Sequence, residues 1–398
     1  MLRRLPTGRL LAVCALVAVV AATLGAVAAG AFGGGGPVPP RKPLAPAIHD
    51  ALAAPAVNGV TADIQFTDRL IDTSGVRGAN PLLSGASGRL WATRDRLRLE
   101  LQAPSGSEGA GDVQVLLDRH SFSVLDVASN TLYRASLPAD THPRTRHHNE
   151  SAPSVSTIKQ ALGRLTQHVT VTGPNPRDVA GQPAYSVSLA PKRNGGLLGH
   201  VNLSWDAGKG LPLSVAVYAR GSSSPVLALQ ATQISFGSVP ASVFALTPGP
   251  HTKVVNLTPP AAKTHAAKHG THRHVTGLSA VQSKVGFQLA APAALAGRHR
   301  TQVSQVGGGA VIAYGDGLGG ILVFERRHDS HQHSLTLPKS GGRSDRQLQL
   351  PTVQLPGATA TEIATPLGTL IQFDRGAVDY TVVGSVTKST AEAAARGL

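Results

Sequence analysis

Asn58-Gly59-Val60-Thr61-Ala62-Asp63-Ile64-Gln65-Phe66 carries an apolar residue at every second position from Val60 to Phe66. Successive side chains of a strand point to opposite faces, so this stretch reads as a strand with one apolar and one polar side. The pattern recurs downstream. Residues 88–92 and the trio Leu97, Leu99 and Leu101 flank the polar turn Thr93-Arg94-Asp95. Residues 113–117 and 122–127 bracket Asp118-Arg119-His120-Ser121, the length of a hairpin loop. Further strands are expected at residues 168–172, 185–189, 201–205, 213–218 and 226–234. Half-apolar strands of this kind belong to an antiparallel sheet covered on one face, and a long sheet curls into a partial barrel. Two helices are expected, and the longer one is expected to cover that face. The first is short, at residues 47–54. In the second, Thr157 with Gln160 has the form of a capping box, and Ile158, Ala161, Leu162 and Leu165 share one side.

The chain opens differently. Arg3, Arg4 and Arg9 precede an uncharged run from Leu10 to Phe32, long enough for the roughly 20 apolar residues that a helix needs to cross a bilayer. The arginines set the cytoplasmic side, so everything after Gly33 is expected outside. A retained anchor is favoured over a cleaved signal, although Ala26-Val27-Ala28 is a small-residue pattern that a signal peptidase can cut. Cys14 lies in the apolar run, with too few apolar residues before it and Val13 where a lipoprotein signal prefers a small side chain. The exported part then has no cysteine, which excludes disulfides, thiol catalysis and cysteine-ligated metal.

Composition divides the rest. A chain of 398 residues is long for one hydrophobic core. A Gly/Pro spacer over residues 33–46 separates the membrane segment, residues 1–32, from a first domain at 47–246. A Pro/Lys/His-rich linker over 247–276 then leads to a second domain at 277–398. The formal charge of +15 favours anionic headgroups or envelope polymers. Nucleic acid is excluded as a partner by export and by an aromatic content of only 4%.

Residues 58–66, then Gly88-Arg89-Leu90-Trp91 leading into Arg96-Leu97-Arg98-Leu99-Glu100, then residues 118–134 with Leu125-Asp126-Val127 and Thr131-Leu132-Tyr133, follow in the order seen in LolA-like lipoprotein carriers. Residues 178–185, with Trp205-Asp206 and Gly210-Leu211-Pro212-Leu213, resemble the N-terminal domain of RseB/MucB-type sigma-factor regulators, and residues 236–248 are similar to its closing segment. The likeness covers about half the chain. It implies a mainly β (α+β) fold: an unclosed antiparallel β-barrel wrapped around helices, whose apolar interior accepts a lipid or lipoprotein acyl chain or a partner's peptide. Trp91, Leu97, Leu99, Val115, Leu117, Leu125, Leu203, Val215 and Val217 are the candidate wall residues. Alternation reports only which face is apolar, so a filled core and a cavity both satisfy it. A soluble carrier has neither an anchor nor a second domain, which sets this chain apart from a shuttle. The C-terminal part resembles the small α+β domain appended to some RseB-like proteins, with a helix at 277–286, strands at 310–314, 321–324, 368–373 and 380–383, and a final helix capped by Ser389 with Glu392.

Other motifs read as structure. Residues 315–320 match G-x-G-x-x-G, but a strand rather than a helix follows, so a hairpin is expected and no cofactor. His265, His269, His272 and His274, and His328, His331 and His333, form two tracts that lack a carboxylate second layer and read as solvated segments, with no metal assigned. Glu100, Asp126, Asp178 and Asp206 sit beside turns or on strand faces, and His120 in a hairpin loop. Neither H-E-x-x-H nor G-x-S-x-G occurs, so no catalytic residue is assigned. The reading is therefore a non-enzymatic extracytoplasmic binding protein for an apolar ligand. The alternatives are an envelope-stress regulator that binds an anti-sigma factor or other membrane partner, and a hydrolase with an unrecognised site. Produced as the whole chain, the protein should fractionate with membranes; recovery of a soluble form beginning near Ala29 would show that the segment is cleaved.

Overall fold

The computed structural model describes residues 36–70, 85–102, 112–137, 152–257, 275–328 and 351–398. The expected membrane segment, Cys14 and all the tract histidines except His328 lie outside these residues. Among the described residues no helix is long and apolar enough to cross a membrane. Two compact units are present. One holds the residues up to 190 with 200–218 and 222–257, and the other holds 191–199, 219–221 and everything from 275 onward.

The first unit is one curled half-barrel sheet of twelve strands. From helix α1 (Leu44–Ala53) the chain enters β1 (Val60–Asp68) and a meander of β2 (Ala86–Ala92), β3 (Leu97–Gln102), β4 (Val113–Leu117), β5 (Ser121–Asp126) and β6 (Thr131–Ser136). Helix α2 (Val155–Leu165) precedes a second meander of β7 (Val169–Val179), β8 (Gln182–Pro191), β9 (Leu198–Asp206), β10 (Pro212–Ala219) and β11 (Pro225–Phe236). Antiparallel pairing of β1 with β11, from Val60 opposite Phe236 to Asp68 opposite Leu227, merges the two meanders.

Several details depart from the expectation. Lys253–Leu257, placed in the linker by its composition, forms β12 and pairs in parallel with β6. Backbone pairing on a free edge needs no buried side chains, so a proline- and lysine-rich context does not forbid a strand there. The end of the spacer is also tied down: Pro39 is buried, and the carbonyl of Pro40 accepts a hydrogen bond from the Tyr185 hydroxyl at 2.6 Å. Helix α2 begins earlier than Thr157. Ser154 is its N-cap and accepts from the Thr157 amide at 3.2 Å. A serine just outside the first turn satisfies that orphan donor, which leaves Thr157 inside the helix.

Helix α1 is seated by the turn between β9 and β10. Asp206, 1% exposed, accepts from the amides of Gly208 and Lys209 at 2.8 and 2.6 Å and closes that turn. Gly210 follows with φ +68°, and a Cβ there would lie 2.0 Å from the carbonyl oxygen of Ala51. Only glycine satisfies both the left-handed backbone and this close approach.

The second unit is an eight-stranded sheet with helices α3 (Leu278–Gln282) and α4 (Lys388–Arg396). Its strands are β13 (Ala294–Leu295), β14 (Arg298–Val306), β15 (Gly309–Tyr314), β16 (Ile321–Arg327), β17 (Thr352–Leu355), β18 (Ala358–Thr365), β19 (Gly368–Arg375) and β20 (Val378–Gly384). The strand β14, Arg-His-Arg-Thr-Gln-Val-Ser-Gln-Val, escaped the sequence reading because its only apolar residues are the two valines at positions 303 and 306. The Gly315–Gly320 segment joins β15 to the antiparallel β16, the hairpin expected there. Thr387 rather than Ser389 caps α4, and Glu392 instead pairs with Arg396 at 2.6 Å. Ala391, Ala394 and Ala395 of that helix are fully buried in the core.

One ionisable group sits deep in this core. Glu325 is 1% exposed; its Oε2 accepts from the Ala290 amide at 2.9 Å while Oε1 has no partner among the described residues. Burial raises its pKa from 4.5 to about 7, opposed by that amide. Burial likewise pushes the Tyr314 hydroxyl up to about 12, with Arg300 opposing and Glu325 reinforcing the shift. A raised carboxyl pKa in the folded state gives full stability below about pH 4.5 and a progressive loss as the pH rises to about 7. Urea unfolding should therefore show the native protein losing on the order of 2 to 3 kcal/mol across that interval relative to Glu325→Gln, and parallel pH profiles for the two would refute the assignment.

Candidate functional site

The inner face of the half-barrel is not uniformly filled. At one end Ile64, Phe66, Leu99, Leu101, Val113 and Val115 interlock as a buried cluster, with Leu99 only 2% exposed. At the other end the sheet and the two helices stand apart around a cavity of about 680 Å³. Val60, Ala62 and Ile64 of β1 line it, with Leu90 and Ala92 of β2, Leu97 of β3 and Leu229, Ala231 and Ile234 of β11. The roof is Leu44, Ile48, Ala51 and Leu52 from α1 and Leu162 and Leu165 from α2. Val171, Val187, Leu189, Leu203, Trp205 and the segment 210–215 complete the wall.

Strand periodicity explains the lining. Val60, Ala62 and Ile64 alternate with Thr61 and Asp63, and Asp63 pairs with Arg89 at 3.1 Å on the outer face. The register shift between Asp63 and Ile64 lets β11 skip Thr232, so that Ala231 and Ile234 both reach the interior.

Of the wall residues expected from the sequence, Leu97, Leu203 and Val215 line the cavity. Leu99 and Val115 share their face but belong to the filled end. Leu117, opposite Leu97 in the sheet, is 37% exposed and outside the cavity. Val217 follows Val215 on the same face of β10, opposite Leu227 and beyond the cavity. Two residues point the other way. Because Leu90 and Ala92 face inward, Trp91 lies on the outer face, with the guanidinium carbons of Arg89 and Arg98 at 5.6 and 5.9 Å from its ring. Leu125 pairs with the fully buried Leu132, while its neighbour Val124 pairs with Val115 on the inner face. Hydrophobicity alone suggested both; strand parity places them outside.

Among the described residues, no charged side chain lines the cavity. The polar side-chain groups among those lining residues are the Ser214 hydroxyl and the Trp205 indole. A lone hydroxyl without a neighbouring base has no route to nucleophilic chemistry. Trp205 is 7% exposed and pairs in the sheet with Tyr185, their rings 6.0 Å apart. The Tyr185 hydroxyl is engaged by Pro40, but the buried Trp205 Nε1 has no hydrogen-bond partner among the described residues. A buried donor left unmade costs about 1 to 3 kcal/mol.

The carboxylates considered earlier are structural. Asp126 accepts from the Ser129 amide, Asp178 from the Gly181 amide, and Glu100 pairs with Arg98 at 2.6 Å. Asp118, below its ordinary pKa through hydrogen bonds from the Ser121 hydroxyl and the His120 amide, closes the hairpin loop that carries the exposed His120. His328 Nδ1 lies 2.5 Å from Asp379 Oδ1 in the second unit. No cluster of three potential metal ligands occurs among the described residues.

No protein-family profile and no curated protein matches the chain. Solved structures with a similar fold include the MucA/MucB complex of Pseudomonas aeruginosa, at 17% identity over 88% of this chain and 95% of that one, with a TM-score of 0.38. An uncharacterised conserved protein from Thermus thermophilus is similar at 9% identity over 53% of this chain and 96% of that one, with a TM-score of 0.32. A LolA superfamily protein from Nitrosomonas europaea is similar at 10% identity over 50% of this chain and 94% of that one, with a TM-score of 0.20. The names MucB and LolA among these structures are those of the two families that the sequence segments resemble.

Two substitutions separate the filled end from the cavity. Leu99→Glu should abolish folding by circular dichroism, because an unpaired carboxylate in a sealed core costs several kcal/mol. Leu165→Glu, on a helix side chain 37% exposed at the cavity, should change stability by less than about 1 kcal/mol. A folded Leu99→Glu protein would show that this end is open as well.

Proposed function

We propose that the first unit binds an apolar ligand, a lipid or a lipoprotein acyl chain, inside the half-barrel, and that it does so outside the cell at the cytoplasmic membrane. The observation that carries this reading is a cavity of about 680 Å³ with no charge among its described lining residues. That volume lies within the roughly 300 to 1,000 Å³ of small-molecule sites. An empty cavity lined by Leu, Ile and Val offers water no partners and leaves its walls without dispersion contacts, so filling it with hydrocarbon is favourable. Each buried methylene contributes about 0.8 kcal/mol, so roughly ten would supply about 8 kcal/mol, from which the costs of association and ordering are subtracted.

The N-terminal segment supports the location. Three arginines before a long uncharged run orient the binding unit outward, and the net positive charge of the chain favours apposition to anionic headgroups. Without an acid, base or nucleophilic pair among the described lining residues, the ligand is held rather than transformed.

Organic extraction of the purified full chain, followed by mass spectrometry, should release an acyl lipid in near-stoichiometric amount, and Leu165→Glu should lower that yield while the protein stays folded. An extract free of lipid, from protein purified without detergent exchange, would set this reading aside in favour of a protein partner.

A further inference from the structure

Resting on the apolar-ligand reading, we infer that the half-barrel docks its cavity end against an anionic lipid bilayer, so that an acyl chain passes between membrane and cavity without crossing water. Strand register defines that end. Val60 lies opposite Ala92 and Phe236, and Leu97 opposite Ala92 and Leu117, so the turns at residues 93–96 and 118–121 share one end of the sheet with the start of β1. Val60, Ala92 and Leu97 line the cavity. The last turn of α1 lies at the same end, because a short connection leads from it into β1 and Gly210 of the β9–β10 turn touches Ala51. Along this rim two large apolar side chains are exposed: Leu52 at 57%, itself a lining residue of the cavity, and Leu117 at 37%. Exposed leucines at the border of a cavity are unfavourable in water and are accommodated by hydrocarbon.

Charge selects the kind of surface. The two turns carry the exposed Arg94, Arg96 and Arg119, and the β9–β10 turn carries Lys209. Of the acidic groups among them, Asp95 pairs with Arg119 at 2.5 Å, and Asp118 is taken up by the Ser121 hydroxyl and the amides of its own hairpin. Asp206 is buried in the turn it closes. Arg94, Arg96 and Lys209 are left as an excess of positive charge at the rim. The β5–β6 turn, residues 127–130 at the filled end, carries no charge. Basic side chains around exposed leucines suit a layer of anionic headgroups over hydrocarbon.

Connectivity brings the same end to the membrane. Pro39 is buried, and the carbonyl of Pro40 is held by Tyr185, whose strand partner Trp205 precedes the Asp206 that closes the β9–β10 turn. The uncharged run expected in the bilayer ends at Phe32. Residues 33–38 between them span at most about 25 Å when fully extended, so the anchor draws the cavity end rather than the filled end to the headgroups.

The full chain has one cysteine, Cys14. In a Cys14→Ala background, His120→Cys at the rim and Ala128→Cys at the filled end, both at exposed positions, each carry a nitrobenzoxadiazole label. The labelled chains are reconstituted into vesicles of phosphatidylcholine with or without phosphatidylglycerol, with nitroxide-labelled phosphatidylcholine as the quencher. The rim label should lose fluorescence in vesicles that contain phosphatidylglycerol, and the Ala128 label should not. Arg94→Gln and Arg96→Gln should each lower the ratio of docked to undocked rims about fivefold, the factor for one basic side chain near an anionic surface, with circular dichroism unchanged. Equal quenching of the two labels, or none at the rim, would overturn the inference. So would rim quenching that survives both arginine changes and the removal of phosphatidylglycerol, because that signal comes from a nitroxide lipid inside the cavity. Organic extraction of the purified chain keeps the two readings apart. Lipid in the extract with an unquenched rim sinks docking and spares the apolar ligand, whereas a quenched rim without lipid in the extract supports the docked surface and removes the ligand.

Discussion

The pairing of β1 with β11 is the constraint on which the first unit depends. It joins residues far apart in the chain, as in the Thr232 hydroxyl that donates to the carbonyl of Asp63 across 169 positions at 3.2 Å. Without it there would be two separate meanders, each with a free edge and a half-covered face. With it there is one twelve-stranded sheet, too long to stay flat, and the right-handed twist of its strands curls it around its own apolar side. Gly59 protects this seam. A Cβ there would come within 2.7 Å of the Gly237 carbonyl oxygen, and the Gly59 carbonyl accepts from the Gly237 amide at 3.1 Å.

The cavity follows from a mismatch of sizes. The curled sheet offers apolar side chains along the whole length of β1, but among the described residues only α1 and α2, of ten and eleven residues, cover them. Where β2 to β4 come together, their own leucines and valines close the interior. Beyond Ile64 the helices act as a roof rather than a plug. Helix α2 illustrates this: Ile158 is its one buried residue, while Leu162 and Leu165 face open space. The tight contact of Gly210 with Ala51 holds α1 against the hairpin, which sets how far the roof stands from the floor.

Polar groups are treated in opposite ways in the two units. In the second, Glu325 and Tyr314 are enclosed by a filled core, and their raised pKa values express the cost of that enclosure. Glu362, also buried, is relieved by Lys388 reaching in from the last helix. In the first, the Trp205 N–H is sealed within the wall and has no partner among the described residues. The same desolvation penalty thus depends on pH in the second unit, where the enclosed groups titrate, and is independent of it in the first, where the enclosed donor does not.

What the sequence determined by itself was local and periodic. Alternation in residues 58–66 and its repeats established half-apolar strands, the i, i+3, i+4 spacing of Ile158, Ala161, Leu162 and Leu165 established a one-sided helix, and the turn residues separated them. The glycine motif at 315–320 was legible as a hairpin because a strand follows it. No strand was read at β6, β12, β13, β14, β17 or β18; β12 and β14 in particular are held by backbone pairing, which leaves little trace in side-chain pattern. The wall was legible only in part. Period two tells which side chains share a face, and so grouped Leu97 with Leu99, but it does not say which of them meets a partner across the fold. Only the tertiary structure decided that Leu99 is sealed within the cluster while Leu97 packs against it and borders the cavity, that Leu125 is buried on the outer face of the sheet, and that the Trp205 N–H is left unsatisfied by the described residues. Those outcomes depend on strand register and on where two short helices come to rest, distances set by residues far apart in the chain.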